Sequence, residues 1–551
     1  MRRRSLIGFL LASVTAGCTG SIDEMVDQLR GNEDTIEFED KTEDFDFHYS
    51  YRTGSGSRVE KISNAGVYIS DFNNNGWDDI LAIGGDDVVL FENNEGTFTE
   101  SDALPSLDAE PYSALFFDAT NSGWEDLLLL CRNNKMQFLA NNEGTFEHLD
   151  VGLSVELTDP ISAAAADATG NGYPDVFIIQ NGDWDRNLPA GYRTYLDDSP
   201  DNGAPNLLFK NDGESFTEIT GEAGIEGDRW SLATSFMDVT DSGAPDIHIA
   251  NDFHRDVLYR NEGEGRFERI ELGDSTDRNG MASEIADFTG NGTLDIFITN
   301  IYYPEEIRKS LGGTLPTRAK GNNLLRYQGD GMFEDVADEF GVRKGGWGWA
   351  AVGVDFNNNG YLDLFHATSR DSLSDRRELT ADEVTAFHER YPFYRHPALW
   401  QGTNDGFTPI SASDVGIPEM DSRGIAEIDI NNNGSMDVVV ADASGQYRVL
   451  GNESRGGRAI QIRLTPDSEM TVLGSKVTVS TDEITRIHAA DSNTDFFSQG
   501  SRTLHFGVGS AERVDIDITW PNNREQRHTD IETNQRLRIS PDGIESSMDL
   551  S

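Results

Sequence analysis

One nine-residue pattern occurs seven times in this chain and limits what the chain can fold into. Its first copy is Asp71-Phe72-Asn73-Asn74-Asn75-Gly76-Trp77-Asp78-Asp79. Oxygen-bearing side chains stand at positions one, three, five and nine, and glycine stands at position six. A hard cation such as Ca²⁺ takes roughly six to eight oxygen ligands on a flexible loop, with a backbone carbonyl, here that of Trp77, among them. The glycine permits the sharp turn that gathers them. Apolar runs at 67–69 and 80–83 flank the loop, so it joins two adjacent strands rather than two helices.

The second copy presents Asp118, Thr120, Ser122, Trp124 and Asp126, and the third Asp167, Thr169, Asn171, Tyr173 and Asp175. The fourth has Asp238, Thr240, Ser242, Ala244 and Asp246, and the fifth Asp287, Thr289, Asn291, Thr293 and Asp295. The sixth has Asp355, Asn357, Asn359, Tyr361 and Asp363, and the seventh Asp429, Asn431, Asn433, Ser435 and Asp437. Every copy has glycine at position six. Their spacing gives a period of about 50 residues broken by three insertions, the mark of a repeat architecture. A single Asp/Asn/Gly cluster also makes an ordinary turn. Seven in phase, each followed by a β-rich run, predict up to seven Ca²⁺ sites. Loops two and four, with Thr and Ser at positions three and five, are the ones expected to be ion-free.

Each loop opens a unit of four strands. In the first unit a strand precedes the loop, and strands follow at 79–83, 88–91 and 97–99, with the turn Asn93-Asn94-Glu95-Gly96 before the last. Four antiparallel strands repeated seven times predict an all-β fold, a seven-bladed β-propeller over 35–453. The seventh unit lacks its fourth strand. Phe38-Glu39-Asp40 near the N-terminus echoes Phe333-Glu334-Asp335, so residues 35–42 are expected to complete blade seven and close the ring.

Insertions at 181–205, 301–322 and 368–398 fall between the second and third strands of their units. They therefore emerge on the face opposite the Asp loops. They are rich in aromatic and arginine residues, among them Trp184, Tyr302, Tyr303, Arg376, Arg377, Arg390, Tyr391, Tyr394 and Arg395. Thr380-Ala381-Asp382-Glu383 is a capping-box pattern and predicts a short helix over 381–389. Arginine forks suit carboxylates or sulfates and tyrosine faces suit sugar rings, so these residues form a candidate ligand face. The alternative is that the insertions merely pack as a cap.

From 455 to 540 the loops stop and alternating runs such as 476–479 and 514–520 predict a small β-sandwich-like domain, followed by a tail at 541–551.

Charge narrows the setting. The chain has 44 basic and 97 acidic residues, a net charge of −53, and lysine is scarce. Carboxylates spread throughout keep a protein hydrated where salt screens repulsion, which predicts a halophilic source. Nucleic acid is excluded as a partner at this charge. Arg2-Arg3-Arg4, an apolar run at 6–14 and Thr15-Ala16-Gly17-Cys18 resemble a twin-arginine, lipoprotein-type signal over 1–17 with Cys18 as the lipidated residue. Residues 18–34 then read as an acidic tether, and the protein as exported and lipid-anchored at the outer face of the cytoplasmic membrane. Cys131, inside an apolar run, reads as a buried thiol. Asn452-Glu453-Ser454 is an N-glycosylation sequon.

The Asp-Phe-Asn-Asn-Asn-Gly-x-x-Asp loops resemble the FG-GAP/VCBS repeats of integrin-type propellers. Gly474-Ser475-Lys476-Val477, Ser498-Gln499-Gly500 and Leu504-His505-Phe506-Gly507-Val508-Gly509 resemble the ASPIC/UnbV domain. Together they resemble the family of cartilage acidic protein and its prokaryotic relatives. That resemblance implies an extracellular, calcium-binding module for adhesion or binding, and the insertion residues point to an unidentified protein or anionic glycan as its partner. These loops depart from the family in having Asn, Thr or Ser at positions three and five, where it commonly has Asp. The residues present no nucleophile elbow and no His-Glu-x-x-His, so no catalytic role is expected. A polysaccharide lyase or hydrolase is the second reading, and a structural surface spacer the third.

Overall fold

The computed structural model describes residues 35–51, 65–85, 87–182, 203–252, 254–276, 278–309, 318–369 and 395–550. Residues 1–34 with Cys18, the side chains of Trp184, Arg376, Arg377, Arg390, Tyr391 and Tyr394, and the helix expected over 381–389 lie outside them.

In the first repeat Ala65–Ser70 leads through the Asp loop into Asp79–Gly84, and Asp87–Asn94 and Thr97–Glu100 follow, all antiparallel. Ala65–Ser70 and Asp79–Gly84 are buried at every residue, which is why the sequence shows continuous apolar runs there. The fourth strand shows Phe98 alone to the core. Glu95 and Gly96 take positive φ (52° and 86°), the turn that a Glu-Gly pair permits at a hairpin.

Six further sheets follow this plan, and the described residues contain seven such sheets in all. The first strand of each sheet packs against the first strand of the next. Ser422–Ile428 of sheet seven packs against Ala65–Ser70 of sheet one, so the ring closes. Sheet seven takes its fourth strand from the N-terminus: Phe38–Asp40 pairs antiparallel with Gln446–Asn452, Phe38 opposite Asn452 and Asp40 opposite Leu450. Phe38 is buried among Phe356 and Phe365, so this closing strand is held by side-chain packing as well as by backbone. The expected closure is what the register shows.

The C-terminal domain is two four-stranded sheets face to face. One orders Leu504–Gly509, Arg458–Leu464, Gln535–Ser540 and Gly543–Asp549, and the other Thr485–Ala489, Lys476–Ser480, Arg513–Thr519 and Glu525–Glu532. Ile460, Val477, Phe506, Ile516, Trp520 and Ile539 fill the space between. The domain extends past the boundary expected at 540. Gly543–Asp549 is an edge strand paired with Gln535–Ser540. Its side chains are almost all outside the core, so it carries no apolar alternation and reads as a tail.

Candidate functional site: the ring of aspartate loops and its cover

All seven loops share one hydrogen-bond scheme. The position-five N–H donates to Oδ1 of the first aspartate at 2.8–3.0 Å. The position-six glycine N–H donates to its Oδ2 at 2.6–3.1 Å. These glycines have φ between 82° and 94°, which a side chain would strain. The position-nine aspartate turns inward and accepts N–H groups from the start of its own loop, as Asp79 Oδ2 does from Phe72 and Asp363 Oδ2 from Phe356.

The two aspartates of each loop are therefore held side by side, both buried in five loops and with Asp118 and Asp167 half-buried in loops two and three. Burial pushes the position-nine carboxyls up, Asp79 to about 9, Asp437 to about 8, and Asp126, Asp175, Asp246 and Asp295 to about 7. Repulsion from the position-one aspartate adds to each of these shifts. Among the described residues no three His, Cys, Asp or Glu side chains converge as a metal cluster. The donor set is two carboxylates plus amide, hydroxyl and carbonyl oxygens, which suits a hard divalent ion and not a soft one. Asp295 Oδ1 is buried without a hydrogen-bond partner, an acceptor left open in loop five. These residues fit Ca²⁺: bound, it would neutralise the paired carboxylates.

Two sets of asparagines hold the loops in their ring and were not picked out in the sequence as doing so. On the third strands, Asn93, Asn141, Asn211, Asn261 and Asn452 each donate their backbone N–H to the position-nine Oδ1 of their own sheet. Their side-chain amides donate to the position-two carbonyl of the preceding sheet, Asn141 to Phe72 at 2.8 Å and Asn452 to Phe356 at 2.8 Å. Asn452 is 7% exposed, and its amide nitrogen also donates to the Met436 carbonyl. The sequon at Asn452 is thus an inter-sheet fastening rather than an accessible acceptor. At position four, Asn74, Asn121, Asn358 and Asn432 donate to the position-six carbonyl of the next loop. The recurrence of Asn before each turn was the available signal; it also serves the turn, which masked the second role.

The C-terminal domain sits on this ring of loops. Arg463 Nη1 is 3.0 Å from Asp71 Oδ2, Lys476 Nζ is 3.0 Å from Asp238 Oδ2, and Gln461 Nε2 donates to Asp429 Oδ2 at 2.8 Å. Thr471 N donates to the Gly172 carbonyl, His505 contacts Asn358 Oδ1 at 2.7 Å, and the Arg486 guanidinium lies 4.5 Å from the centre of the Tyr361 ring.

From the same domain a peptide enters the hub of the ring and bonds to the first strand of six sheets and to Ser283, just before the first strand of the fifth. Phe497 O accepts from Val67 N, Gln499 Oε1 from Phe116 N, Ser492 O from Ala165 N and Asn493 Oδ1 from Phe236 N. Asp495 accepts from Ser283 N at 3.0 Å and Ala351 N at 2.7 Å, and Ser501 N donates to the Glu427 carbonyl. Phe496 and Phe497 are buried, Phe496 with its ring 4.5 Å from that of Trp349. A cavity of about 170 Å³ lies beside this peptide, lined by Glu284, Glu427, Asp491, Asp495 and Arg502 among others. Burial and the neighbouring acids push Glu427 up to about 8, and burial pushes Asp495 to about 7.

On the opposite end, the chain leaves the sheets after Gln180, Ile298 and Thr368 and returns at Ala204, Asn323 and Ala398. Of the ligand-face residues that are described, Tyr302 is half-buried and Arg395 pairs with Glu419 at 2.9 Å. Tyr303 is fully buried in the core and offers no ring to a ligand, which corrects its expected place on that face.

Sequence comparison agrees with this architecture. The FG-GAP-like repeat model matches residues 71–129, 118–178 and 238–298, and the ASPIC and UnbV model matches 465–546. No curated protein matches the sequence. One similar solved structure is described as the structural basis of specific recognition of non-reducing terminal N-acetylglucosamine by an Agrocybe aegerita lectin. It is 18% identical, with 63% of this chain and 79% of that chain covered, at a TM-score of 0.40. The chain is a β-propeller of FG-GAP-like repeats that carries a C-terminal ASPIC/UnbV domain.

Proposed function

We propose that this protein is a calcium-loaded module displayed outside the cell, anchored through a lipidated Cys18, that binds an anionic glycan or acidic surface protein with the end of its propeller opposite the Asp loops. The observation that carries the reading is the position of the C-terminal domain. It covers the loop end and its peptide fills the hub, so the ring's other end is the one left to a partner. That end is where the arginine- and tyrosine-rich insertions emerge. Calcium belongs to the scaffold in this reading, since the paired carboxylates need a counter-charge and lie under the cover.

The test is a binding screen of sulfated and carboxylated polysaccharides against the full chain, with turnover of each polysaccharide assayed alongside. The combined Arg376→Ala, Arg377→Ala, Arg390→Ala variant should lose binding and keep its melting temperature. Normal binding by that variant would favour the packed-cap reading, and turnover would favour the enzyme. For the anchor, Cys18→Ser should release the protein from the membrane or stop its processing. Retention of a correctly cleaved form would remove the lipid.

A further inference from the structure

Loops one, two and four carry a third acid besides the aspartates at positions one and nine: Asp78, Glu125 and Asp241. Each of the three meets one cation from the C-terminal domain. Arg463 Nη1 is 3.3 Å from Asp78 Oδ1, Arg502 Nη2 is 2.9 Å from Glu125 Oε1, and Lys476 Nζ is 2.9 Å from Asp241 Oδ1. Arg463 and Lys476 also touch the first aspartate of their loops, but each is shared with the third acid. Loops three, five and six have no third acid, and among the described residues no ion pair reaches their aspartates. Counting only ion pairs to the loop acids, three negative charges less one positive, or two negative charges, leave each of the six loops with two. That charge is the one a divalent ion neutralises. Arg486 meets loop six through the Gly360 carbonyl and the Tyr361 ring and not through an aspartate.

Loop seven breaks the pattern. Its only acids within the loop are Asp429 and Asp437, with Glu453 beyond it paired to Lys41, yet Arg536 Nη2 stands 3.6 Å from Asp429 Oδ2, an ion pair without a hydrogen bond. The same oxygen accepts from Gln461 Nε2 at 2.8 Å and from Gly434 N at 2.9 Å. Arg536 is fixed in turn, its Nε donating to Gln461 Oε1 at 2.8 Å and its Nη1 to the Gly76 carbonyl at 3.2 Å. Asp429 is 1% exposed, Arg536 7% and Gln461 0%, so this is a closed arrangement. A divalent ion placed there would leave an excess positive charge buried against a guanidinium, which low dielectric penalises heavily.

We propose that Arg536, oriented by Gln461, takes the place of the divalent ion in loop seven, and that the C-terminal domain thereby sets the capacity of the chain at six ions, one in each of loops one to six, so that charge and not the Thr and Ser of loops two and four decides which loop is empty. This rests on the calcium reading of the loops. Arg536 is a positioning and charge-matching residue and touches no substrate.

The experiment is equilibrium dialysis of the metal-stripped full chain against radioactive Ca²⁺ at saturation in high-salt buffer. Wild type should bind six ions and Arg536→Met seven. Asp429→Asn should still bind six, whereas Asp167→Asn should bind five; this pair decides if Arg536→Met does not fold. Seven ions on wild type, five on Asp429→Asn, or no gain in a folded Arg536→Met overturns the proposal and leaves the calcium reading intact. No ion bound by wild type overturns the calcium reading itself.

Discussion

The side-chain amide of Asn93 donates to the carbonyl of Ile430 at 2.9 Å, across 337 residues of chain. The same amide nitrogen donates to the Asp78 carbonyl, so one side chain joins sheets one and seven at the loop end of the ring. Asn93→Ala would strand two buried carbonyls, at about 1–3 kcal/mol for each group left unsatisfied. Thermal unfolding of the variant should begin several degrees below wild type. An unchanged melting temperature would show that the remaining fastenings, the strand Phe38–Asp40 and the Asn432–Gly76 hydrogen bond among them, close the ring without Asn93.

That strand gives the complementary prediction. Removing residues 35–42 uncovers the edge of Gln446–Asn452 and takes Phe38 out of the core. Exposed strand edges pair with other chains. Light scattering should report oligomers of the truncated protein in conditions where the full chain is monodisperse, and a monodisperse truncation would defeat the closure argument.

Chelation is expected to destabilise the propeller. A ligand present at 100 times its Kd stabilises the native state by about 2.7 kcal/mol per independent site, and the proposed calcium loading gives the loops several such sites. Calorimetry in excess chelator should therefore show a large fall in melting temperature, with Asp167→Asn in calcium giving a smaller one. If chelator leaves the curve unmoved, the ions have no structural role.

The hub acids predict the pH response. Burial raises Glu427 to about 8, with Asp491, Asp78 and Asp495 adding repulsion. A carboxyl raised in the folded state favours its protonated form there. The stability it permits is full below the unfolded value near 4.5 and is lost as pH rises through about 8. In calcium-saturated protein, Glu427→Gln should lose less stability than wild type between pH 5 and pH 9, by roughly the range over which a glutamate so shifted ionises. Parallel curves would mean that Glu427 is solvated in solution.

Asp495 fastens the hub peptide to two sheets. Asp495→Ala removes the acceptor of Ser283 N–H and Ala351 N–H, at about 1–3 kcal/mol for each orphaned donor. Proteolysis near residues 490–500 should accelerate in the variant. Wild-type resistance would indicate that the packing of Phe496 and Phe497 and the peptide's other hydrogen bonds hold it without Asp495.

What could be read from the sequence is what is local. Asp at one and nine with Gly at six defines a loop whose hydrogen bonds close within nine residues, and all seven copies fold alike. The closing strand was legible because Phe38-Glu39-Asp40 repeats the composition of an outer strand. Contacts between distant surfaces were not legible. Nothing local tells that Lys476 meets Asp238, or that Ser498-Gln499, recognisable as part of a family motif, pairs with Val67 and Tyr68. Asn452 shows a local motif whose use is set by distant contacts: the asparagine of the sequon is buried and fastens two sheets.

The two pieces that finish the ring come from the two ends of the chain. A polypeptide made from its N-terminus holds Phe38–Asp40 ready from the start, but its partner Gln446–Asn452 appears some 400 residues later, and the hub peptide later still. Until then six and a half sheets have an open edge and an empty centre, and long-range closure of this kind is slow. A nascent or prematurely ended chain is thus a sticky, half-made ring, and its solubility depends on completing synthesis before exposure to other copies of itself.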